Sequence, residues 1–332
     1  MGNLCSNLSE RETADKKPAS APSTVPINRP VFEKNPQYVS EEGRTFLAHY
    51  NALDADGKQA SRVYTLPSDD VEIDRLHLQH YLLRFEYQSN FCAPVRSRLE
   101  KPAAKILDVG CGSGIWAMEM ATDFPLAQVY GIDLAPVQPS SIKPKNLEFA
   151  TVDITNLPLP YEDATFDFVR MRFLVLGIKA EHWQSIVNEL GRITKPGGYV
   201  ELCEPNINFV GAPTLDMFTG MFQSILQARG ADPNSYQKIH QYLSTSPYLS
   251  TPSQDNRRMP YRPTETSSPD QIKLSKLVRD DWRMGLSGFK PIIVAKKIAT
   301  PEQFDEWLEQ CAREMWEIGY MAEVRTCWAM RK

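Results

Sequence analysis

The chain lacks the features that would tie it to a membrane span, a disulfide scaffold or a polyanionic partner. Its longest apolar runs, near residues 173–178 and 291–295, fall far short of the roughly 18 residues that a spanning helix needs. Six cysteines, Cys5, Cys92, Cys111, Cys203, Cys311 and Cys327, form no CxxC pair and lack the histidine spacing of a zinc site, so they read as reduced thiols of a cytoplasmic protein. Neither sign of charge dominates: 37 Lys and Arg stand against 41 Asp and Glu, a net charge of −4, and no nucleic-acid-binding face is expected. The amino terminus carries no apolar h-region of a signal peptide. What is present, 332 residues of which 42% are hydrophobic, suffices for one large domain or for a catalytic domain with helical additions.

Met1-Gly2-Asn3-Leu4-Cys5-Ser6 fits the myristoylation pattern, Gly2 followed by Ser at the sixth position, and Cys5 offers a site for a second lipid. One myristoyl chain gives marginal membrane binding and two lipids give stable anchoring; a chance match in a tail is the alternative. Residues 8–36, rich in Pro, Ser, Ala, Lys and Glu without an apolar period, read as disordered, so the tail is assigned to residues 1–40. Helical spacing through Val71, Ile73, Leu76, Leu78, Leu82, Leu83 and Phe85 predicts a helical cap over residues 41–100. Strand-like and helix-like segments then alternate at 105–109, 115–124, 128–132, 147–152, 166–171, 183–193 and 199–203, which predicts a parallel sheet with crossover helices in a core over 101–210. Residues 211–332 are expected to supply a lid and complete the domain, with helices over 214–230, 270–284 and 301–318, a loop or lid over 244–270 and a short strand over 324–330. The helix at Pro301 has Thr300 as N-cap and Gln303 at its third position, the signature of a capping box.

The run ILDVGCGSG, residues 106–114, is an apolar strand ending in a loop with three glycines and passing directly into a helix. Glycine lets the backbone approach a ligand closely, and the helix start presents unpaired N–H groups, so an anion is expected there. A dinucleotide fingerprint needs Gly-x-Gly-x-x-Gly, but the sixth position from Gly110 is Ile115, which disfavours nicotinamide. The next strand ends in Asp133, placed to accept from both hydroxyls of a ribose, and the one after ends in Asp153, within reach of an adenine amino group. A single Asp at such a place is more often an N-cap or turn residue; three acids at successive strand ends favour a ligand.

With these motifs, and with GIDL (131–134), ATVDITNLPLP (150–160), FDFVRMR (166–172) and ITKPGGYVEL (193–202), the chain resembles the class I S-adenosylmethionine-dependent methyltransferases over about 100 residues. GIW (114–116), DLAPVQP (133–139) and EIDRLHLQH (72–80) are similar to fungal members, including regulators of secondary metabolism. The resemblance implies an α/β, Rossmann-like fold with a mostly parallel seven-stranded sheet flanked by helices, an N-terminal helical cap and a C-terminal helical lid. It implies S-adenosylmethionine as cofactor, with Gly110, Cys111, Gly112 and Gly114 at the methionine carboxylate, Asp108 at its amino end, Asp133 and Leu134 at the ribose, and Asp153 with Ile154 at the adenine.

Methyl transfer from a sulfonium needs mainly alignment and exclusion of water, plus a base where the acceptor is a hydroxyl or a protonated nitrogen. The sequence offers Arg172 after the fourth core strand and Glu204, the preferred candidate, after the fifth, although an exposed or salt-bridged side chain is the commoner reading of such a Glu. Residues 169–173 carry no oxygen ligands at the place where metal-dependent catechol-type relatives bind their ion, so no metal is expected. Trp282, Phe289, Trp307, Trp316 and Tyr320 read as core at helical spacing, with an acceptor pocket as the alternative. The sixth strand is placed either near Tyr261 or at residues 291–294. The expected activity is methyl transfer to an O or N acceptor, a small molecule first and a protein second; a cofactor-binding regulatory scaffold is the alternative.

Overall fold

A computed structural model describes residues 38–47, 66–139 and 141–332. The tail readings for residues 1–37, Gly2 and Cys5 included, lie outside the described residues. The described chain opens with β1 (Tyr38–Glu41) and β2 (Arg44–Leu47), an antiparallel hairpin. Here the expected helical cap is corrected at residues 41–47 only. The turn uses positive φ at Glu42 (46°) and Gly43 (73°), the two-residue geometry that matches strand twist. Helix α1 (Asp70–Tyr87) follows, N-capped by Asp69, whose carboxylate accepts from the Glu72 N–H. Arg44 binds that carboxylate through Nε and Nη2 at 2.7 and 2.8 Å, so the hairpin and the start of α1 are clipped together.

After the short α2 (Arg96–Leu99), the core runs β3 (Lys105–Val109), α3 (Ile115–Asp123), β4 (Gln128–Asp133), β5 (Leu147–Thr151), β6 (Phe166–Arg172), α4 (Trp183–Ile193) and β7 (Thr194–Pro205). The chain continues through α5 (Pro213–Gln227), α6 (Ser235–Thr245), β8 (Ser253–Pro260), α7 (Pro269–Ser287), α8 (Lys290–Ala295), α9 (Pro301–Ile318) and β9 (Met321–Met330). The seven-stranded sheet has the order β5-β4-β3-β6-β7-β9-β8, with β3 to β7 parallel and β9 antiparallel to both of its neighbours. This is a Rossmann-like architecture. Its strand order reverses at β3, which leaves a crevice outside the carboxyl ends of the strands where ligands of open α/β sheets bind.

One further expectation is corrected, and one left open is decided. Residues 253–260 form a strand, not a loop or lid. It looked like a loop because it is the edge strand, so mostly exposed Ser, Gln, Asp and Arg side chains carry no period-two signal and Pro260 closes it. The sixth strand therefore lies just before Tyr261, and residues 291–294 belong to α8. Helix α9 has the predicted bounds and capping box, whereas α6 had no counterpart in the reading of the sequence.

Three apolar clusters explain the layers. Leu107, Val169 and Val200 of the sheet pack with Trp183, Ile186 and Leu190 of α4 and with Ile239 and Leu243 of α6. Ile106, Val129 and Phe168 pack with Leu99, Trp116 and Met120 of α2 and α3 on the other face. A third cluster joins Leu82 and Leu83 of α1 to Phe218, Phe222, Trp282, Phe289 and Phe304 from the later helices. That third cluster forms the roof over the site.

Candidate active site

The loop after β3 is shaped by its glycines. Gly110, Gly112 and Gly114 have φ of 68°, 53° and 79°, values that favour glycine. A Cβ on Gly110 would lie 2.6 Å from the Leu174 side chain, and one on Gly112 would lie 3.2 Å from Leu76 of α1. The Gly110 and Cys111 N–H groups both donate to the Ile132 carbonyl, at 2.8 and 3.0 Å, which fastens the loop to β4. Gly114 is the N-cap of α3 and offers no side-chain cap, so the helix start is available to an anion. Ser113 Oγ beside it is buried without a hydrogen-bond partner. Such a cradle fits a carboxylate-bearing ligand.

Asp133 ends β4 with Oδ2 accepting from the Gly112 N–H (2.8 Å) and Oδ1 from the Ala135 N–H (2.9 Å). Burial raises its pKa, and these amides pull it back. Asp153 accepts from the Thr155 N–H and Oγ1 at 2.9 and 2.7 Å through Oδ1 alone. On β3, Asp108 is buried 3.7 Å from Arg170 Nη1, and burial pushes its pKa up to about 6 against the pull of Arg170. Arg170 also lies 3.9 Å from Glu201 and over the Trp116 ring, while Glu201 accepts from the Cys92 and Ala93 N–H groups at 2.8 Å each. The charges beneath the crevice are thus held between three strands.

A cavity of about 320 Å³ gathers the expected site residues on one wall: Asp108, Gly110, Cys111, Gly112, Asp133, Leu134, Asp153, Ile154 and Arg172. Gly114 stands behind that wall, where a Cβ would run into Phe149. Glu204 is not part of the lining. It is fully buried, and its carboxylate accepts from the Leu174 (2.9 Å) and Val175 (3.1 Å) N–H groups. There it holds the loop that leaves β6, whose Phe173 has a φ of 59°. Burial pushes its pKa up to about 8.

The opposite wall is apolar and aromatic, with Leu82, Leu83, Phe209, Phe222, Trp282 and Phe289. Of the five aromatics weighed from the sequence, Trp282, Phe289 and Tyr320 reach this cavity while also packing in the core. Trp307 and Trp316 do not reach it, and Trp316 is exposed beneath Arg279. Two groups not singled out from the sequence matter here, one behind the cavity beside Arg172 and one on its lining. His80 on α1 is buried, and Asp281 on α7 lines the cavity with Oδ1 near Arg75 Nη1 (3.3 Å) and Gln79 Nε2 (3.5 Å). The signal for His80 was a ring nitrogen on the apolar stripe of a helix; for Asp281 there was none, since acids are common on helices. Among the described residues no three His, Cys, Asp or Glu side chains are grouped to hold a metal ion.

A family model described as a methyltransferase domain matches residues 106–198. The secondary metabolism regulator laeA of Aspergillus flavus is 31% identical over 186 residues, which cover 55% of this chain and 45% of that protein. The chain thus spans less than half of that relative's length. Methyltransferase str2 of Strobilurus tenacellus is 27% identical over 262 residues, 77% of this chain and 92% of that one. Among solved structures, Haemonchus contortus phosphoethanolamine N-methyltransferase 2, in complex with S-adenosyl-L-methionine, is similar over 77% of this chain and 57% of its own, at 16% identity and a TM-score of 0.44.

Proposed function

We propose that this chain, which carries a class I S-adenosylmethionine-dependent methyltransferase domain, methylates an oxygen or nitrogen of a small, largely apolar acceptor. The observation that carries this reading is the single cavity that joins the glycine loop and Asp133 on one wall to Phe222, Trp282 and Phe289 on the other. The first wall suits a polar nucleoside and amino acid, and the second an apolar acceptor of modest size.

When bound, the cofactor supplies an activated methyl group. Gly110, Cys111, Gly112 and Gly114, with the start of α3, would hold its carboxylate end and Asp108 its amino end. Asp133 and Leu134 would hold the ribose, and Asp153 with Ile154 the adenine. The aromatic wall orients the acceptor and excludes water. Of the acids on that side, Glu72 has both oxygens on Arg75 at 2.9 and 2.7 Å, and Glu323 is engaged by Arg258 (2.9 Å) and Asn206 (3.2 Å). Asp281 keeps Oδ2 without a hydrogen bond from any described residue, and burial raises its pKa. Asp281 therefore takes the acceptor's proton, the task first considered for Glu204. Glu204 acts as a positioning residue that fixes the loop over Gly110.

The described parts of residues 41–100, together with residues 211–332, serve as the two sides of the acceptor roof over a core at 101–210. At the amino terminus, myristoylation of Gly2 and acylation of Cys5 would add a peripheral membrane anchor to a chain whose described residues include no helix long and apolar enough to cross a membrane. Mass spectrometry of the mature terminus tests this, a terminus without lipid removing it. Similarity to a secondary metabolism regulator and to the protein-methionine methyltransferase laeA of Emericella nidulans favours a second reading, a protein acceptor or a regulatory scaffold. Incubation with methyl-labelled cofactor and fractionated cell extract separates them: label in small molecules supports the leading reading. Label in protein, or in no fraction, supports the second.

A further inference from the structure

Three guanidinium groups around this sheet have acidic partners, and Arg172 differs from them. Arg75 binds Glu72 at 2.7 Å, Arg98 binds Asp167 at 2.8 Å, and Arg170 lies between Asp108 and Glu201. Arg172, at the end of β6 and on the cavity wall, pairs with no carboxylate among the described residues. Its polar contact is to His80, with Nη2 3.5 Å from Nδ1. The far side of that ring, Nε2, lies 3.1 Å from Glu119 of α3.

This arrangement sets the tautomer. Arg172 can only donate, so Nδ1 accepts and Nε2 carries the proton; Nε2 lies close to Glu119 but is not aligned for a hydrogen bond to it. The imidazole is neutral in that role; burial, with Arg172, Arg170 and Arg84 nearby, depresses its pKa to about 2. The ring therefore orients the guanidinium without cancelling its charge. Arg172 is half-buried, and a desolvated cation without a carboxylate partner is costly unless a ligand supplies the counter-charge. We propose that Arg172, seated by His80 and Glu119, receives the carboxylate of the cofactor's methionine end.

The sheet register supports that assignment. Asp108 pairs with Arg170 across β3 and β6, so Arg172, two residues on, stands on the same face one step nearer the strand ends. Asp108 and Arg172 then present opposite charges to one end of the cavity, as an α-amino acid zwitterion requires. The uncapped start of α3 supplies neutral N–H donors to the same carboxylate, and Arg172 supplies the charge that they lack. Arg172 is already protonated and has no lone pair to accept a proton, so it serves as a binding residue and not as a base.

The inference rests on reading the site as a cradle for S-adenosylmethionine, and the test separates the two. Calorimetry of the full chain compares S-adenosylhomocysteine with S-adenosyl-3-thiopropylamine, the same molecule without its carboxyl group. Wild type is expected to prefer the carboxylate form by about ten- to a hundredfold. Arg172→Gln should erase that preference, Arg172→Lys should restore part of it, and His80→Phe should reduce it several-fold while the carboxyl-free ligand binds as in wild type. The lysine and phenylalanine variants keep the test decisive if the glutamine variant does not fold. An undiminished preference in the folded Arg172→Gln and Arg172→Lys proteins overturns the inference and assigns Arg172 to the acceptor. Wild-type protein that binds neither ligand overturns the cradle reading itself.

Discussion

The two walls of the cavity are built on opposite principles. The glycine-loop wall is made of backbone: Gly112 and Ala135 amides fix Asp133, the Ile132 carbonyl fixes the loop, and three glycines take left-handed φ. The opposite wall is made of side chains from α1, α5, α7 and the loop after β7, held by packing and by the Glu72–Arg75–Asp281 network. A backbone wall admits one ligand shape. A side-chain wall can be re-cut by substitution while the first stays fixed.

The contrast breaks most visibly at Asp281. Replacement by Asn should lower turnover by about a hundred- to a thousandfold on an identified acceptor and leave S-adenosylhomocysteine affinity within about twofold, read by calorimetry, because the backbone wall is untouched. Equal loss of both would mean that the walls are not separable. Gly114→Ala tests the other side. Its φ of 79° and the Phe149 ring behind it should lower stability by about 2 to 4 kcal/mol and weaken cofactor binding more than tenfold, measured by thermal melts and calorimetry. A fully stable alanine variant would show that the loop is softer than its geometry indicates.

The same contrast explains what could be read before folding. The backbone wall lies within residues 106–154, where a strand, a glycine loop and two strand-end acids follow one another, so order along the chain becomes order in space. The side-chain wall gathers Leu83, Phe209, Trp282 and Phe289 from across some 200 residues, and an aromatic at helical spacing looks alike whether it faces core or cavity. Trp282 does both. Glu204 misled for a related reason: a carboxylate just past a strand can face the crevice or turn back to satisfy backbone amides, and here it caps Leu174 and Val175. The hairpin at residues 38–47 escaped because helix spacing in α1 was extended across it, and β8 escaped because an edge strand need not alternate.

A smaller effect concerns the ring behind the backbone wall. His80 has a folded pKa far below its ordinary value of 6.5, so the native state resists a proton that the unfolded chain accepts. Its contribution to stability is complete above pH 6.5 and is lost as pH falls below that, at up to about 1.4 kcal/mol per unit. Chemical denaturation at pH 7 and pH 5 should therefore show a steeper acid loss in wild type than in His80→Gln, and matching slopes would mean that the ring is not held neutral.

The central claim, that the loop from Gly110 to Gly114 and Asp133 form one S-adenosylmethionine cradle, is tested most directly by titrating S-adenosylhomocysteine into the full chain and into Asp133→Ala in the same calorimeter. Saturable binding at one site per chain that disappears in the variant is the predicted result. An absence of binding in the wild type, or unchanged affinity in a folded Asp133→Ala protein, would contradict it.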